Sequence, residues 1–135
     1  MRSLDENKQH LQGSESRDIF KRSHKEKLGG WCYASDIDLV IVRKTPPGIV
    51  AYFDYKKPRD SITFAEVLVY NELMRSHDVF IIESSNPESG PFDIYKYQGG
   101  DFRPEPPTIR KELVRRGITW DEFQMFEDEL RRVKK

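Results

Sequence analysis

The sequence predicts an α/β fold in which a mixed sheet of about four strands is flanked by helices and followed by a C-terminal helical pair. Two observations support this prediction. Short apolar runs with strand character alternate with segments whose caps and apolar spacing are typical of helices. The 135 residues, 36% hydrophobic and 34% charged, also suit one domain with a compact core beneath a heavily charged surface.

The N-terminal segment is expected to begin as a flexible arm over residues 1–13, because these residues are polar and end in Gly13. Ser14 or Ser16 is a suitable N-cap for a helix that runs to about residue 28, where two glycines end it. Most of this helix is cationic, which is typical of a solvent-exposed face; contact with nucleic-acid phosphates is the alternative explanation. The candidate phosphate contacts are Arg17, Lys21, Arg22 and Lys25.

A β-hairpin is predicted next. Its first strand, residues 38–43, contains an uninterrupted Leu-Val-Ile-Val run, which indicates burial on both faces. A Thr-Pro-Pro-Gly turn follows at residues 45–48, and residues 49–57 return antiparallel to the first strand until Pro58 ends the pairing.

Two charged side chains share one face of the returning strand. Because side chains alternate along a strand, Asp54 and Lys56 point to one face, whereas Phe53 and Tyr55 point to the other. The turn folds the second strand back along the first. Asp38, at the start of the hairpin, is therefore expected to approach Asp54 and Lys56 at its end.

The remainder of the predicted core contains one helix and two strands. Residues 63–66, Thr-Phe-Ala-Glu, fit a capping box that opens a helix to about residue 76. This helix is apolar over most of its circumference, as expected for a helix that packs on a sheet. Strands are predicted at residues 79–82 and 92–97, joined by a loop rich in Ser, Asn, Pro and Gly.

The C-terminal residues, 99–135, are expected to form a helical appendage packed on the same domain. One helix is predicted at residues 108–116, where Gly117 ends it. A second capping box at residues 119–122 opens another helix to about residue 133, with an apolar stripe at helical spacing.

Two carboxylates and one ammonium on a hairpin suit metal-dependent hydrolysis of a phosphodiester. Carboxylate oxygens hold Mg²⁺ in octahedral geometry and leave room for waters and a phosphate oxygen. Asp38 and Asp54 are the expected ligands of Mg²⁺ or Mn²⁺, together with a backbone carbonyl, that of Tyr55. The metal would lower the pKa of a bound water and withdraw charge in the transition state. Lys56 would orient that water or stabilise the developing charge.

The order of an acid, a hairpin, Asp54-Tyr55-Lys56, a helix and a strand resembles the PD-(D/E)xK nuclease superfamily. This superfamily includes restriction endonucleases, archaeal Holliday junction resolvases and RecB-type exonucleases. The resemblance covers residues 14–98 and implies a restriction-endonuclease-like core. Two departures are visible: Ile37 stands where the motif has proline, and the second acid is aspartate rather than the commoner glutamate.

The same resemblance implies further site residues. A glutamate of the N-terminal helix, here Glu15, would add to the metal site. RecB-type members carry a glutamine and, four residues later, a tyrosine in the helix that follows the lysine. This chain has Glu66 and Tyr70 at that spacing, with glutamate in place of glutamine.

Each candidate also has a structural explanation. The acid–lysine pair of the second strand alternates with aromatic residues, as on the exposed face of a half-buried strand. Asp36 and Asp38 suit a turn before a strand, and because both reach the same face, either is a potential ligand. Glu66 suits the capping box, and Glu15 suits the first turn of a helix, where the helix dipole favours acids.

Whole-chain properties limit the partners. With 23 basic and 23 acidic residues the formal net charge is zero, so a nucleic-acid surface must arise from local segregation of charge. Beyond the first helix, Arg110 and Lys111 are candidate phosphate contacts. The single Cys32 excludes an intramolecular disulfide and fits a reducing compartment. The chain has no membrane-length apolar run and a polar N-terminus, so a cytoplasmic protein without a membrane partner is expected.

The sequence therefore predicts a metal-dependent nuclease of endonuclease or junction-resolving type, acting on DNA rather than RNA. A core of this size covers only part of a duplex, which favours a homodimer. The alternative is a catalytically inactive module of the same fold that binds nucleic acid or protein. A third hypothesis is an assembly factor that acts through the C-terminal helices.

Overall fold

The structure is a computed structural model that describes residues 4–28, 37–103 and 105–132, with side chains from residue 15 onward. The chain divides into two compact units, Met1–Ala34 and Ser35–Lys135, and each is described by itself. Within the described residues, no helix combines the length and the apolar character that crossing a bilayer requires.

The first unit contains a single described element, the helix α1, Leu4–Leu28. Its C-terminal end agrees with the prediction, but residues 4–13, which were expected to form an irregular arm, are helical. Most residues before Ser14 are good helix formers, and an internal glycine such as Gly13 costs only about 1 kcal/mol. A helix of 25 residues tolerates that cost.

The second unit is a five-stranded mixed sheet with one helix packed on each face. In the sheet order β1-β2-β3-β4-β5 every neighbouring pair is antiparallel except β2 and β3, because α2 crosses between those two strands and returns the chain in the same direction. The α/β class with a mixed sheet is confirmed, with five strands rather than about four. The elements are β1 Leu39–Arg43, β2 Gly48–Lys56, α2 Phe64–Leu73, β3 Asp78–Glu83, β4 Phe92–Asp101, β5 Thr108–Ile118 and α3 Trp120–Arg131.

The predicted helix at residues 108–116 is wrong, because this segment is the strand β5, paired with β4 from Thr108 to Ile118. Its Lys, Glu, Leu and Arg residues are good helix formers, but pairing with the open edge of β4 outweighs that local preference. The C-terminal appendage is therefore a strand followed by a helix. The hypothesis of an assembly factor that acts through a helical pair loses its structural basis.

The prediction that the first strand is buried on both faces is also wrong. β1 is an edge strand, and Ile41 is its only buried residue, whereas Leu39, Val40 and Val42 are exposed. A continuous apolar run indicates burial only when both faces of the strand are covered by other elements. The Arg131 side chain, at the end of α3, donates a hydrogen bond to the Val42 carbonyl at 3.0 Å and so occupies part of the open edge of β1.

The two faces of the sheet hold two separate cores. Against α3 lies an aromatic cluster whose ring centroids are 5.2–6.2 Å apart, formed by Phe53, Phe80, Phe92, Phe123 and Phe126. Against α2 lies a second core, formed by Tyr52, Tyr70, Val79, Ile81 and Tyr97. Alternation along β2 directs Phe53 to the α3 face and Tyr52 to the α2 face, so Asp54 and Lys56 also belong to the α2 face.

Both predicted capping boxes are confirmed. The Thr63 hydroxyl accepts a hydrogen bond from the Glu66 N–H, and the Glu66 carboxylate accepts one from the Thr63 N–H. Thr119 and Glu122 make the same reciprocal contacts at the start of α3. These caps fix where each helix starts, and hence which α2 side chains face the end of β2.

Candidate active site

The candidate site lies at the carboxyl ends of the parallel strands β2 and β3, on the face that α2 covers. Asp54 and Lys56 are the third-last and the last residues of β2, and the chain then turns through residues 57–63 into α2. This connection brings the first turns of α2 back over the end of β2. Residues from the hairpin and from the helix therefore meet in one place.

Asp38 contacts the end of β2 through two reciprocal hydrogen bonds. Its Oδ2 accepts a hydrogen bond from the Tyr55 N–H at 2.7 Å, and its own backbone N–H donates to Asp54 Oδ1 at 3.3 Å. Asp38 stands one residue before β1, and the pairing of Leu39 with Phe53 places it opposite this part of β2. The Asp38 side chain is exposed, so the cluster is accessible to solvent from this side.

The Asp54 carboxyl is almost fully buried and accepts a hydrogen bond from the Tyr70 hydroxyl on α2. Burial raises the pKa of Asp54 from 3.8 to about 6; the neighbouring Asp38 carboxylate also raises it, whereas Tyr70 and Lys56 lower it. Burial and the contact with Asp54 also raise the pKa of the Tyr70 hydroxyl. Tyr70 therefore remains a hydrogen-bond donor to Asp54 at neutral pH.

Lys56 forms an ion pair with Glu66, in which Nζ contacts Oε2. Only 17% of the Lys56 side chain and 12% of the Glu66 side chain are exposed. The two Glu66 oxygens have separate roles. Oε1 caps α2 through the Thr63 N–H at 3.0 Å, whereas Oε2 contacts Lys56 and lies 3.3 Å from the oxygen of the Tyr70 hydroxyl, whose one proton is donated to Asp54. The structural and the functional explanation of Glu66 thus both have support in its contacts.

The donor atoms present suit a small oxygen-binding cation such as Mg²⁺. In a strand, the N–H and C=O of one residue face the same neighbour, so the Tyr55 carbonyl faces the side on which Asp38 lies. No cluster of three or more acidic, His or Cys side chains suitable for a metal occurs within the described residues. Two carboxylates and a carbonyl are few protein ligands, and Mg²⁺ in proteins usually completes its octahedral coordination with several waters. Burial is the largest cause of the raised pKa of Asp54, and the nearby Asp38 carboxylate adds to it.

The remaining predicted site residues lie elsewhere or outside the described part of the chain. Asp36, the alternative ligand, falls outside the described residues. Glu15 is exposed on α1, which belongs to the first unit. The four cations proposed as phosphate contacts are also exposed on that helix: Arg17, Lys21, Arg22 and Lys25.

Arg110 and Lys111 lie on β5 rather than on a helix, so neighbouring side chains point to opposite faces of the sheet. Arg110 pairs with Asp101 at 2.8 Å. Lys111 lies on the α2 face, where it contacts Glu83 and sits 4.0 Å from the centre of the Tyr95 ring. Only Lys111 of this pair therefore borders the region next to the candidate site.

Sequence analysis missed the charged residues that border the site beyond Lys56. Lys57 and Arg59 follow β2 directly, and Glu83 ends β3 at the position paired with Lys56. The run Lys56-Lys57-Pro58-Arg59 was a visible signal, because it places three cations at and just after the end of a strand that carries a candidate acid.

Comparison of this chain with protein-family models, with curated proteins and with solved structures finds no match. The resemblance to PD-(D/E)xK nucleases therefore rests on the sequence pattern alone.

Proposed function

We propose that this protein is a metal-dependent nuclease of the PD-(D/E)xK type that hydrolyses phosphodiester bonds of nucleic acid, with DNA as its substrate. The observation that supports this proposal is the meeting of five side chains from three chain segments at the end of β2. The Asp38 backbone N–H donates to Asp54, the Tyr70 hydroxyl contacts both Asp54 and Glu66, and Glu66 pairs with Lys56.

The roles of these residues follow from their contacts. Asp38 and Asp54, with the Tyr55 carbonyl, would hold Mg²⁺ or Mn²⁺, which supplies a water of lowered pKa and a counter-charge for the phosphate. The Lys56 ammonium lies beside this pair and would orient the attacking water or stabilise charge on the departing oxygen. Glu66 holds Lys56 in place, and the Tyr70 hydroxyl fixes the orientation of the Asp54 carboxylate.

Cleavage assays on the full chain test this proposal. Supercoiled plasmid and end-labelled oligonucleotides are incubated with Mg²⁺, with Mn²⁺ or with a chelator. Asp54→Asn and Lys56→Ala should remove cleavage while circular dichroism remains native, and Asp128→Asn, at an exposed position on α3, should retain it. Cleavage at the wild-type rate by either folded site variant would exclude this mechanism.

A second candidate function, a catalytically inactive binding module of the same fold, is favoured by one observation. The charged groups of the site already have partners within the protein: Lys56 contacts Glu66, Asp38 accepts from the Tyr55 N–H, and Asp54 accepts from Tyr70. Calorimetric titration distinguishes the two functions. A nuclease should bind Mg²⁺ or Mn²⁺ and lose that binding in Asp38→Ala, whereas an inactive module should show no metal binding that depends on Asp38.

The proposal extends to assembly. A chain of 135 residues covers only part of a DNA duplex, so two copies would be needed to act on both strands. We therefore propose a homodimer on duplex substrates, with the cations of α1 as candidate DNA contacts. Light scattering of the free protein and of its DNA complex measures the stoichiometry, and a strictly monomeric complex would contradict this part of the proposal.

A further inference from the structure

A cavity of about 170 Å³ adjoins Lys56 on the α2 face of the sheet. Its floor is apolar and consists of Ile62, Ile81 and Ile109. Its rim is charged: four cationic and two acidic side chains take part in the lining. The cavity is therefore amphipathic and opens next to the proposed catalytic lysine.

Contacts hold one rim cation, Lys111, and the backbone of the loop that carries two others. Lys111 contacts Glu83 and lies over the Tyr95 ring, which limits its movement. The loop that carries the other cations is closed by two hydrogen bonds between residues 57 and 60: the Lys57 N–H donates to Asp60 Oδ2, and the Asp60 N–H donates to the Lys57 carbonyl, both at 3.1 Å.

Arg59, within this loop, has a positive φ of 69°, an uncommon conformation for a residue with a side chain. Within residues 37–103 and 105–132, neither Lys57 nor Arg59 takes part in an ion pair, so the rim carries an excess of positive charge.

This combination suits one nucleotide better than it suits a phosphate group alone. Rim cations attract phosphate, but phosphate gains nothing from a floor of three isoleucines. A base or a sugar gains from covering that apolar surface, because it removes apolar atoms from water. In an intact duplex the bases are stacked and paired, so a base reaches such a cavity only from an unpaired strand.

We propose that this cavity is a subsite for one unpaired nucleotide next to the scissile phosphate. The substrate of the site is then nucleic acid that is single-stranded or locally unpaired at the point of cleavage. This inference rests on the proposed nuclease function and adds to it the strand state of the substrate.

The test compares a fluorescent single-stranded oligodeoxynucleotide with the blunt duplex of the same sequence, using anisotropy with the full chain in the presence of a chelator. The wild-type protein should bind the single strand more tightly. Arg59→Gly should weaken that binding about fivefold and lower the slope of log affinity against log salt by about 1. Glycine adopts a positive φ without strain, so this variant should fold at least as well as the wild type.

A second variant addresses the apolar floor. Ile109→Thr replaces apolar atoms of the floor by a hydroxyl and should weaken single-strand binding about fivefold while duplex binding stays unchanged. The matched control is Arg75→Ala, which removes a highly exposed cation just beyond the C-terminal end of α2 and should alter neither affinity.

The outcomes separate the two proposals. The subsite would be overturned by equal affinity for single strand and duplex, or by unchanged single-strand affinity in the Arg59 and Ile109 variants. Neither result would affect the nuclease function if Mg²⁺-dependent cleavage still required Asp54 and Lys56. The absence of both binding and cleavage for every oligonucleotide would overturn the nuclease function and the subsite together.

Discussion

Replacing Asp54 by asparagine should stabilise the fold at neutral pH. The Asp54 carboxyl has a pKa of about 6 in the folded protein, against an ordinary value of 3.8. The folded state therefore binds this proton more tightly than the unfolded state does. The contribution of protonated Asp54 to the free energy of unfolding is fully present below pH 4 and falls as the pH rises to about 6. Above that pH the contribution is lost and the free energy of unfolding no longer changes through this group.

The magnitude follows from the difference of about two pKa units. At about 1.4 kcal/mol per unit, ionised Asp54 lowers the free energy of unfolding by about 3 kcal/mol at pH 7.5. Asparagine avoids this cost but has one acceptor oxygen where aspartate uses two, for Tyr70 and for the Asp38 N–H. Losing one of these hydrogen bonds costs about 1 kcal/mol. Asp54→Asn should therefore be about 2 kcal/mol more stable at pH 7.5 and about 1 kcal/mol less stable at pH 4.

Urea unfolding followed by circular dichroism at pH 4, 5, 6 and 7.5 measures how the stability difference between Asp54→Asn and wild type changes sign with pH. Asp128→Asn serves as the matched control, because Asp128 is exposed and its loss should change stability by less than about 0.5 kcal/mol at every pH. A difference between wild type and Asp54→Asn that stays constant from pH 4 to pH 7.5 would show that Asp54 does not carry the buried charge inferred here.

The same urea unfolding, repeated in the presence of Mg²⁺, shows whether Asp54 binds metal or has only a structural role. A metal ion that binds only the folded state raises the free energy of unfolding in proportion to the logarithm of its concentration. Mg²⁺ should therefore stabilise the wild-type protein above pH 6 and leave Asp54→Asn unchanged. An equal response of both proteins would remove Asp54 as a ligand.

Three further predictions concern the neighbours of this group and the core. Lys56→Ala leaves a largely buried carboxylate unpaired and should cost about 2 kcal/mol in urea unfolding; adding Glu66→Gln should restore most of that stability without restoring cleavage. Tyr70→Phe removes a hydrogen bond that lowers the pKa of the buried aspartate, so the pH midpoint of Mg²⁺ binding by calorimetry should move above its wild-type value. Phe126→Ala should cost about 3–5 kcal/mol, whereas Met125→Ala, exposed on the same helix, should cost less than about 0.5 kcal/mol.

The features that sequence analysis predicted well are those set by local chemistry. Capping boxes at Thr63 and Thr119 depend on hydrogen bonds between residues three apart, so they can be identified without knowing the fold. The alternation that places Asp54 and Lys56 on one face of β2 is likewise a property of any strand. The approach of Asp38 required only one further assumption, a tight turn between the two strands.

The features that sequence analysis missed depend on distant partners. Residues 108–118 have helical propensity, and only the open edge of β4 turns them into a strand. The apolar run of β1 did not reveal that β1 lies at the edge of the described sheet. The cavity beside Lys56 combines side chains from β2, β3, β5 and the loop after β2, so no short pattern could reveal it.

Glu66 shows why a structural explanation for a residue does not exclude a functional one. A carboxylate has two oxygens, and the capping box uses only Oε1, which leaves Oε2 for Lys56 and Tyr70. Tyr70 lies one turn further along α2, so the start of the helix determines the positions of both residues over Asp54. The start of α2 and the geometry of the site are thus determined by the same few contacts. The Lys56 ammonium neutralises the charge of the Glu66 carboxylate, which keeps its capping role.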